Sequence, residues 1–192
     1  MDNITHSLFG ATLARTPLGR AGRGTTAALV LAGNAPDIDI VATAGGSLKY
    51  LEWHRGPTHG PLGIIGLGLV TAALVYGARA LIDRRRTSGA TYPRNNASFV
   101  QLAAISTLGV LFHVLMDLPT SYGTHLLSPF DWHWYAFDWM PIIDIYLLGA
   151  LATGLVIGQR WSGLRQRNAV IVLMFMLGNY GGRLVAHERA IA

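Results

Sequence analysis

The sequence predicts an all-α fold, a polytopic transmembrane helix bundle formed as one membrane domain over residues 1–192. Three observations predict it. Of the 192 residues, 51% are apolar and only 13% are charged, against roughly 25% charged in an ordinary soluble domain. Mean hydropathy is +0.36. The apolar residues fall in runs long enough to cross a bilayer core of about 30 Å, and short arginine-rich segments separate those runs. Disorder, collagen and coiled coil are excluded, and the composition argues against a soluble enzyme. The chain has no cysteine, which excludes disulfides, iron–sulfur clusters and cysteine zinc sites. Any metal must be held by the seven His and ten acidic residues.

The elements follow in order. The start, Met1-Asp2-Asn3-Ile4, lacks the basic residues of a signal peptide, so the first helix is expected to be retained. Ile4–Ala14 and Thr25–Ala35 are apolar runs of 11 residues, each about 16 Å long as a helix and so about half a membrane deep. They predict a short helical hairpin within residues 1–35, bent at Thr16–Gly24. Pro61–Ile82 predicts the first full span, followed by a loop over Asp83–Asn96 that carries Arg84, Arg85, Arg86 and Arg94. Ala97–Met116 predicts the second span. A polar, aromatic stretch follows over Asp117–Trp139. Met140–Gly158 and Asn168–Ala186 predict the third and fourth spans, with Arg160, Arg165 and Arg167 between them.

The formal net charge is +5, and 14 of the 15 basic residues are Arg. They sit between apolar runs rather than on one polar face. The charge therefore reads as the positive-inside bias of cytoplasmic loops, and no nucleic-acid partner is expected. With basic segments 15–23, 79–94 and 160–167 in the cytoplasm, residues 36–61 and 117–139 fall on the opposite side without conflict.

Ionisable residues inside a membrane are costly and mark functional sites. Here they form five groups: His6; Asp37 and Asp39; His54 and His59; His113 and Asp117; and Asp144. The arginine topology brings all five to the non-cytoplasmic ends of their helices. His113 and Asp117 are four apart and share a helix face. Pro36 interrupts regular helix before Asp37 and Asp39, so that both are expected to turn inward. Gly56 and Pro57 predict a turn that brings His54 and His59 round one ion. Imidazole with carboxylate suits zinc, ahead of iron or manganese. Four His and three Asp exceed the ligands of one catalytic zinc, so one or two ions are expected.

Each group alone has a plainer reading. His6 can be interfacial, Pro36–Asp39 a helix stop, and His113 with Asp117 a buried hydrogen-bonded pair. Asp144 reads as the partner of an arginine or as support for the site. Arg55 and Thr58 are structural or substrate-contacting. His125 and His133 lie in a Trp-rich interfacial stretch, and His187 lies in an exposed tail. Seven candidates at one membrane face are not produced by unrelated causes.

At these residues the chain resembles the LexA-regulated, YdjM-like family of bacterial membrane-bound metal-dependent hydrolases. The matching pieces are Thr5-His6, Pro36-Asp37-Ile38-Asp39, His54-Arg55-Gly56-Pro57-Thr58-His59 and His113-Val114-Leu115-Met116-Asp117. Thr120-Ser121-Tyr122-Gly123-Thr124, Leu126-Leu127-Ser128-Pro129-Phe130 and Ile142-Ile143-Asp144 also match. The resemblance runs nearly the whole chain, in order. It implies a bacterial inner-membrane protein and a metal-dependent hydrolase. It also implies His6, Asp37, Asp39, His54, His59, His113 and Asp117 as ligands. Many members carry Ser where this chain has Gly60, and longer relatives continue past Ala192 into a further domain.

The expected chemistry is hydrolysis by water that a metal ion activates. Asp39 or Asp117 would serve as general base, and Arg55 would grip a phosphate. A site at the depth of the outer leaflet points to membrane lipids as partners and to a lipid-linked or phosphoester substrate. The alternative is a metal-binding membrane transport or scaffold protein without catalysis.

Overall fold

In a computed structural model of the chain, residues 1–85 and 95–192 are described. Part of the predicted basic loop 79–94, including Arg86 and Arg94, lies outside the described residues. The described residues form seven α-helices: α1 (Asn3–Leu13), α2 (Thr25–Ala32), α3 (Ser47–Trp53), α4 (Pro61–Arg85), α5 (Phe99–Asp117), α6 (Ile145–Arg160) and α7 (Arg165–Ile191). Four helical segments are long and apolar enough to cross a membrane: Thr25–Gly45, Pro61–Arg85, Phe99–Asp117 and Ser162–Ile191.

Two elements differ from the sequence expectation. The second arm of the N-terminal hairpin does not end at Ala35. After α2 the chain continues as a 3-10 helix over Ala35–Gly45, because Pro36 lacks the N–H for an α-helical turn but is compatible with the start of a tighter one. The predicted third span, 140–158, is not among the four candidate spans; its helix has 16 residues, and Thr25–Gly45 is the fourth candidate instead. Residues 140–144 are not helical, and α6 starts at Ile145. Asp144 is its N-cap and accepts from the N–H groups of Tyr146 and Leu147 at 2.9 and 3.1 Å. A hydropathy run does not reveal that the first residues of an apolar stretch are not helical.

Local capping sets the ends of the other site helices. The Asp2 carboxylate accepts from Ile4 and Thr5 N–H and starts α1 just before His6. Ser98 and Gln101 form a reciprocal capping box at the start of α5.

In lipid, helices associate by close packing rather than by leaving water, so small residues mark the contacts. Gly10 of α1 lies against the backbone of α2, where a Cβ would stand 2.7 Å from the Leu29 carbonyl oxygen. Gly109 of α5 faces Ala32 of α2. α2 is thereby clamped between α1 and α5.

The bundle has a basic end and a polar end. At the basic end Arg23 pairs with Asp83 at 2.6 Å, Arg79 donates to the Arg23 carbonyl, and Arg20 donates to Gln166. Segments distant in sequence thus meet where their arginines are. α1 and α2 run in opposite directions from this end. α5 begins there, with the Arg23 N–H on the Asn95 carbonyl, and its 19 residues carry the chain about 28 Å to Asp117.

The glycine contact gives a direct expectation. Gly10→Ala should lower stability by about 1–3 kcal/mol, the usual cost of overpacking. Gly66→Ala on α4, where a Cβ meets nothing within 4 Å, should not. Thermal midpoints of the two variants in one detergent test this. Equal midpoints would show that α1 and α2 are not packed as described.

Candidate metal centre

Four buried or half-buried side chains from three parts of the chain converge at the polar end. They are Asp37 on the 3-10 segment, His59 on the loop before α4, and His113 and Asp117 on the last turns of α5. One ligand atom from each lies within 4.8 Å of all the others.

The separations have a pattern. His59 Nε2 and His113 Nε2 are 3.2 Å apart. His113 Nε2 lies 3.5 Å from Asp37 Oδ1 and 3.4 Å from Asp117 Oδ2. His59 Nε2 lies 3.6 Å from Asp117 Oδ2. Ligands about 2.0–2.2 Å from a tetrahedral ion stand about 3.3–3.6 Å apart. Four of the six separations thus match the edges of one coordination shell, and the other two, both from Asp37, lie within 4.8 Å.

The protonation of the imidazoles agrees. His113 Nδ1 lies 2.7 Å from the Gly33 carbonyl. A carbonyl only accepts, so Nδ1 carries the proton and Nε2 presents its lone pair to the cluster. Burial, with His113 and Arg55 nearby, holds the pKa of His59 well below the usual imidazole range. It is neutral near pH 7 and able to ligate.

The surrounding polar atoms are short of partners. Among the described residues, both ring nitrogens of His6 and Asp37 Oδ2 are buried without a hydrogen bond. Native interiors rarely leave such atoms orphaned. Charge tells the same story. Asp37, Asp39 and Asp117 gather round one guanidinium, Arg55, so two negative charges remain when all are ionised. The Met1 amine also touches Asp117. Its burial draws its pKa down to about 5, which leaves it neutral near pH 7. The donor set thus fits a divalent cation.

The remaining predicted residues flank this core. His6 stacks on the His113 ring at 3.9 Å and places Nε2 3.4 Å from Asp117 Oδ1. Asp37 and Asp39 do not turn the same way. Two residues apart on a 3-10 helix of three residues per turn, they are about 240° apart. Asp37 faces the four-atom core. Asp39 accepts from the Arg55 N–H at 2.6 Å and lies 3.2 Å from His54 Nδ1. His54 and His59 likewise do not share one ion's immediate shell in this arrangement. The turn between them sends His59 inward and leaves His54 against Asp39, with its ring stacked on Tyr50.

Arg55 makes that turn with φ of 53°, a left-handed conformation that costs an L-residue on the order of 1–3 kcal/mol. Its side chain is 5% exposed. Nη2 lies 3.1 Å from Asp117 Oδ2, while Nη1 donates to Thr120 Oγ1 and the Gly123 carbonyl. Next to His59, a Cβ on Gly60 would collide with the Ser128 carbonyl. A serine at this position would not fit the packing seen here.

Asp144 stands apart and binds Arg183 at 2.8 Å and Asn179 at 3.0 Å. His125 lies among Trp132 and Trp134. His187 sits on the last turns of α7 rather than in a tail. Tyr50, Thr120, the Gly33 carbonyl and Tyr122, whose ring lies 5.1 Å from the Arg55 guanidinium, are partners the sequence does not announce. Of these only Tyr50 carries a usable signal, since it lies four residues before His54.

His59→Ala or His113→Ala should lower metal affinity by at least about 10–100-fold, the scale for losing even a supporting partner, whereas His187→Ala should not. Elemental analysis of the purified variants checks this, and full occupancy in both cluster variants would rule the centre out.

The profile of the YdjM inner membrane protein family matches residues 1–190. The chain is also 29% identical to the uncharacterized protein YfhP of Bacillus subtilis over 203 aligned positions, which cover 98% of this chain and 55% of that protein. It thus spans about half the length of that relative. No solved structure matches the chain. With four candidate spans, a buried His/Asp cluster and a family match along nearly its whole length, this chain belongs to the YdjM inner membrane protein family.

Proposed function

We propose that this protein is a metal-dependent hydrolase that cleaves a phosphoester in a lipid or lipid-linked substrate at the non-cytoplasmic face of the inner membrane. The observation that carries this reading is the gathering of ligand atoms of Asp37, His59, His113 and Asp117 within 4.8 Å of one another, with the Asp39–His54 pair beside them and Asp39 Oδ2 3.8 Å from His59 Nδ1. A purely structural ion would use the first and have no need of the second.

Asp37, His59, His113 and Asp117 would hold the ion, with His6 completing or supporting the shell. Two imidazoles and two carboxylates suit zinc, with manganese or iron next. When bound, the ion supplies Lewis acidity and an activated water. Asp39 and His54 handle the proton. Asp39 is fixed by the Arg55 N–H, and it orients His54, whose ring is partly open to the outside. Such an oriented pair is the usual form of a general acid or base. Arg55 is a positioning residue. Its two terminal nitrogens already hold Asp117, Thr120 and Gly123. Gripping a phosphate in the bidentate manner expected from sequence would require it to leave them.

These roles separate in experiment. Asp39→Asn should keep the metal and lower turnover of synthetic phosphodiesters by about 10²-fold or more. Arg55→Ala should lower metal affinity as well as turnover, because Asp117 loses its brace. A variant of Arg55 with full metal and only a raised KM for anionic substrates would assign it to substrate binding instead. Wild-type protein that keeps its metal yet hydrolyses no phosphoester, carboxyl ester or amide would favour the non-catalytic metal-binding alternative.

The orientation rests on the positive-inside rule, since the basic segments meet at the end away from the cluster. The native chain has no cysteine. A Cys at exposed Phe130 should react with an impermeant maleimide in intact spheroplasts, and a Cys at Ser162 only after lysis. The reverse pattern would put the site on the cytoplasmic side.

A further inference from the structure

A trough runs along the outside of the bundle between α2 with its 3-10 extension and α4. Its upper part, about 410 Å3, is lined by Leu31, Asp37, Ile38, Leu67, Val70 and Leu74, among others. Its lower part, about 440 Å3, shares Leu31 and Leu74 and continues past Ala27 and Ala78 to Ile82. The two parts adjoin at Leu31 and Leu74, which line both, along one seam between α2 and α4.

The sequence builds it simply. On α4 the wall residues Leu67, Val70, Leu74, Ala78 and Ile82 recur every three or four positions, which is one helix face. Opposite them stand Gly24, Ala27 and Ala35, small residues that keep α2 from filling the space. From Leu67 to Ile82 the groove is about 22 Å long at 1.5 Å per residue. Leu31, Ile38, Val70, Leu74 and Ile82 are all exposed. Both walls belong to candidate membrane spans, so the groove opens sideways to lipid rather than to water.

Both of its ends are polar. Asp37, a member of the four-residue cluster, lines the upper end. At the lower end Arg79 donates to the Arg23 carbonyl and Arg23 pairs with Asp83, so those arginines are engaged within the protein. Between the ends the walls are mostly hydrocarbon, with Thr71 among them.

We infer that this trough is the binding site for one hydrocarbon chain of a membrane lipid whose headgroup lies at the cluster. The inference rests on the hydrolase reading and adds to it the place where the substrate's apolar part lies. A leaflet is about 15 Å deep, so a groove of about 22 Å accommodates a long chain in full. The four-atom core would then sit at the junction of headgroup and chain, where the scissile bond of a phospholipid or a lipid-linked phosphate lies. The exposed apolar residues of the trough serve the ligand as well as the surrounding bilayer.

The test uses the full chain in nanodiscs of phosphatidylethanolamine and phosphatidylglycerol. The probe is a phosphatidylethanolamine with a diazirine at the end of one palmitoyl chain, and labelled peptides are located by mass spectrometry. Labelling should concentrate several-fold on Ala27–Leu31 and Leu74–Ile82 over exposed Val156 of α6. Ala78→Trp should remove most of it, with Gly149→Trp on open surface as control. With a palmitoyl phosphodiester, Ala78→Trp should lower kcat/KM by about tenfold or more, the scale of one lost apolar contact. It should leave a water-soluble phosphodiester unaffected. Equal labelling of the trough and Val156 means annular lipid only and overturns the inference, as does cross-linking of the trough to a second copy of the chain. If no phosphoester is hydrolysed, the hydrolase reading fails, while the wild-type labelling pattern still decides the trough by itself.

Discussion

Buried negative charge is the constraint on which this structure depends. Asp39 and Asp117 are almost fully enclosed, and Asp37 is half-buried beside them. Removing ionised carboxylates from water costs several kcal/mol each unless they are paired. One guanidinium and a set of neutral imidazoles do not balance three of them. A divalent ion between the carboxylates and the imidazole lone pairs does, and it also satisfies atoms that hydrogen bonding leaves orphaned. The cluster is therefore unfavourable as a packing motif and favourable as a receptor for a cation.

The architecture serves that constraint. α1 is started by Asp2, so His6 emerges in its first turn. α2 stops at Ala32, and the freed Gly33 carbonyl takes the proton-bearing nitrogen of His113. This one contact fixes α5 against the hairpin and chooses which imidazole nitrogen faces the centre. The 3-10 segment then separates the two aspartates into different roles. The strained Arg55 turn delivers its N–H to Asp39 and its side chain to Asp117. Small residues at Gly10 and Gly109 let three helices approach closely enough for these side chains to meet.

Much of this was legible in the residues. The spans over 61–82 and 97–116 follow from uninterrupted apolar runs. The gathering of His6, Asp37, Asp39, His59, His113 and Asp117 at one end follows from the arginine alternation, which is independent of those residues. Two features were not legible. Hydropathy does not distinguish a helix from a non-helical apolar segment, so 140–144 was read as helix although Asp144 is a cap. Side-chain direction depends on helix type, and the sequence does not announce a 3-10 helix. Asp37 and Asp39 therefore read as partners although they point to different neighbours. Arg55 shows the same limit: its charge was visible, but its enclosure by Thr120, Gly123 and Asp117 depends on a loop distant in sequence.

The proposed chemistry rests on one ion held by Asp37, His59, His113 and Asp117. Anomalous diffraction from metal-loaded crystals, collected on both sides of the metal's absorption edge, tests it most directly. A single dominant peak is expected within bonding distance of His59 Nε2 and His113 Nε2, with Asp37 and Asp117 oxygens completing the shell at about 2.0–2.2 Å. A dominant peak elsewhere, at His125, His133 or His187, would contradict it.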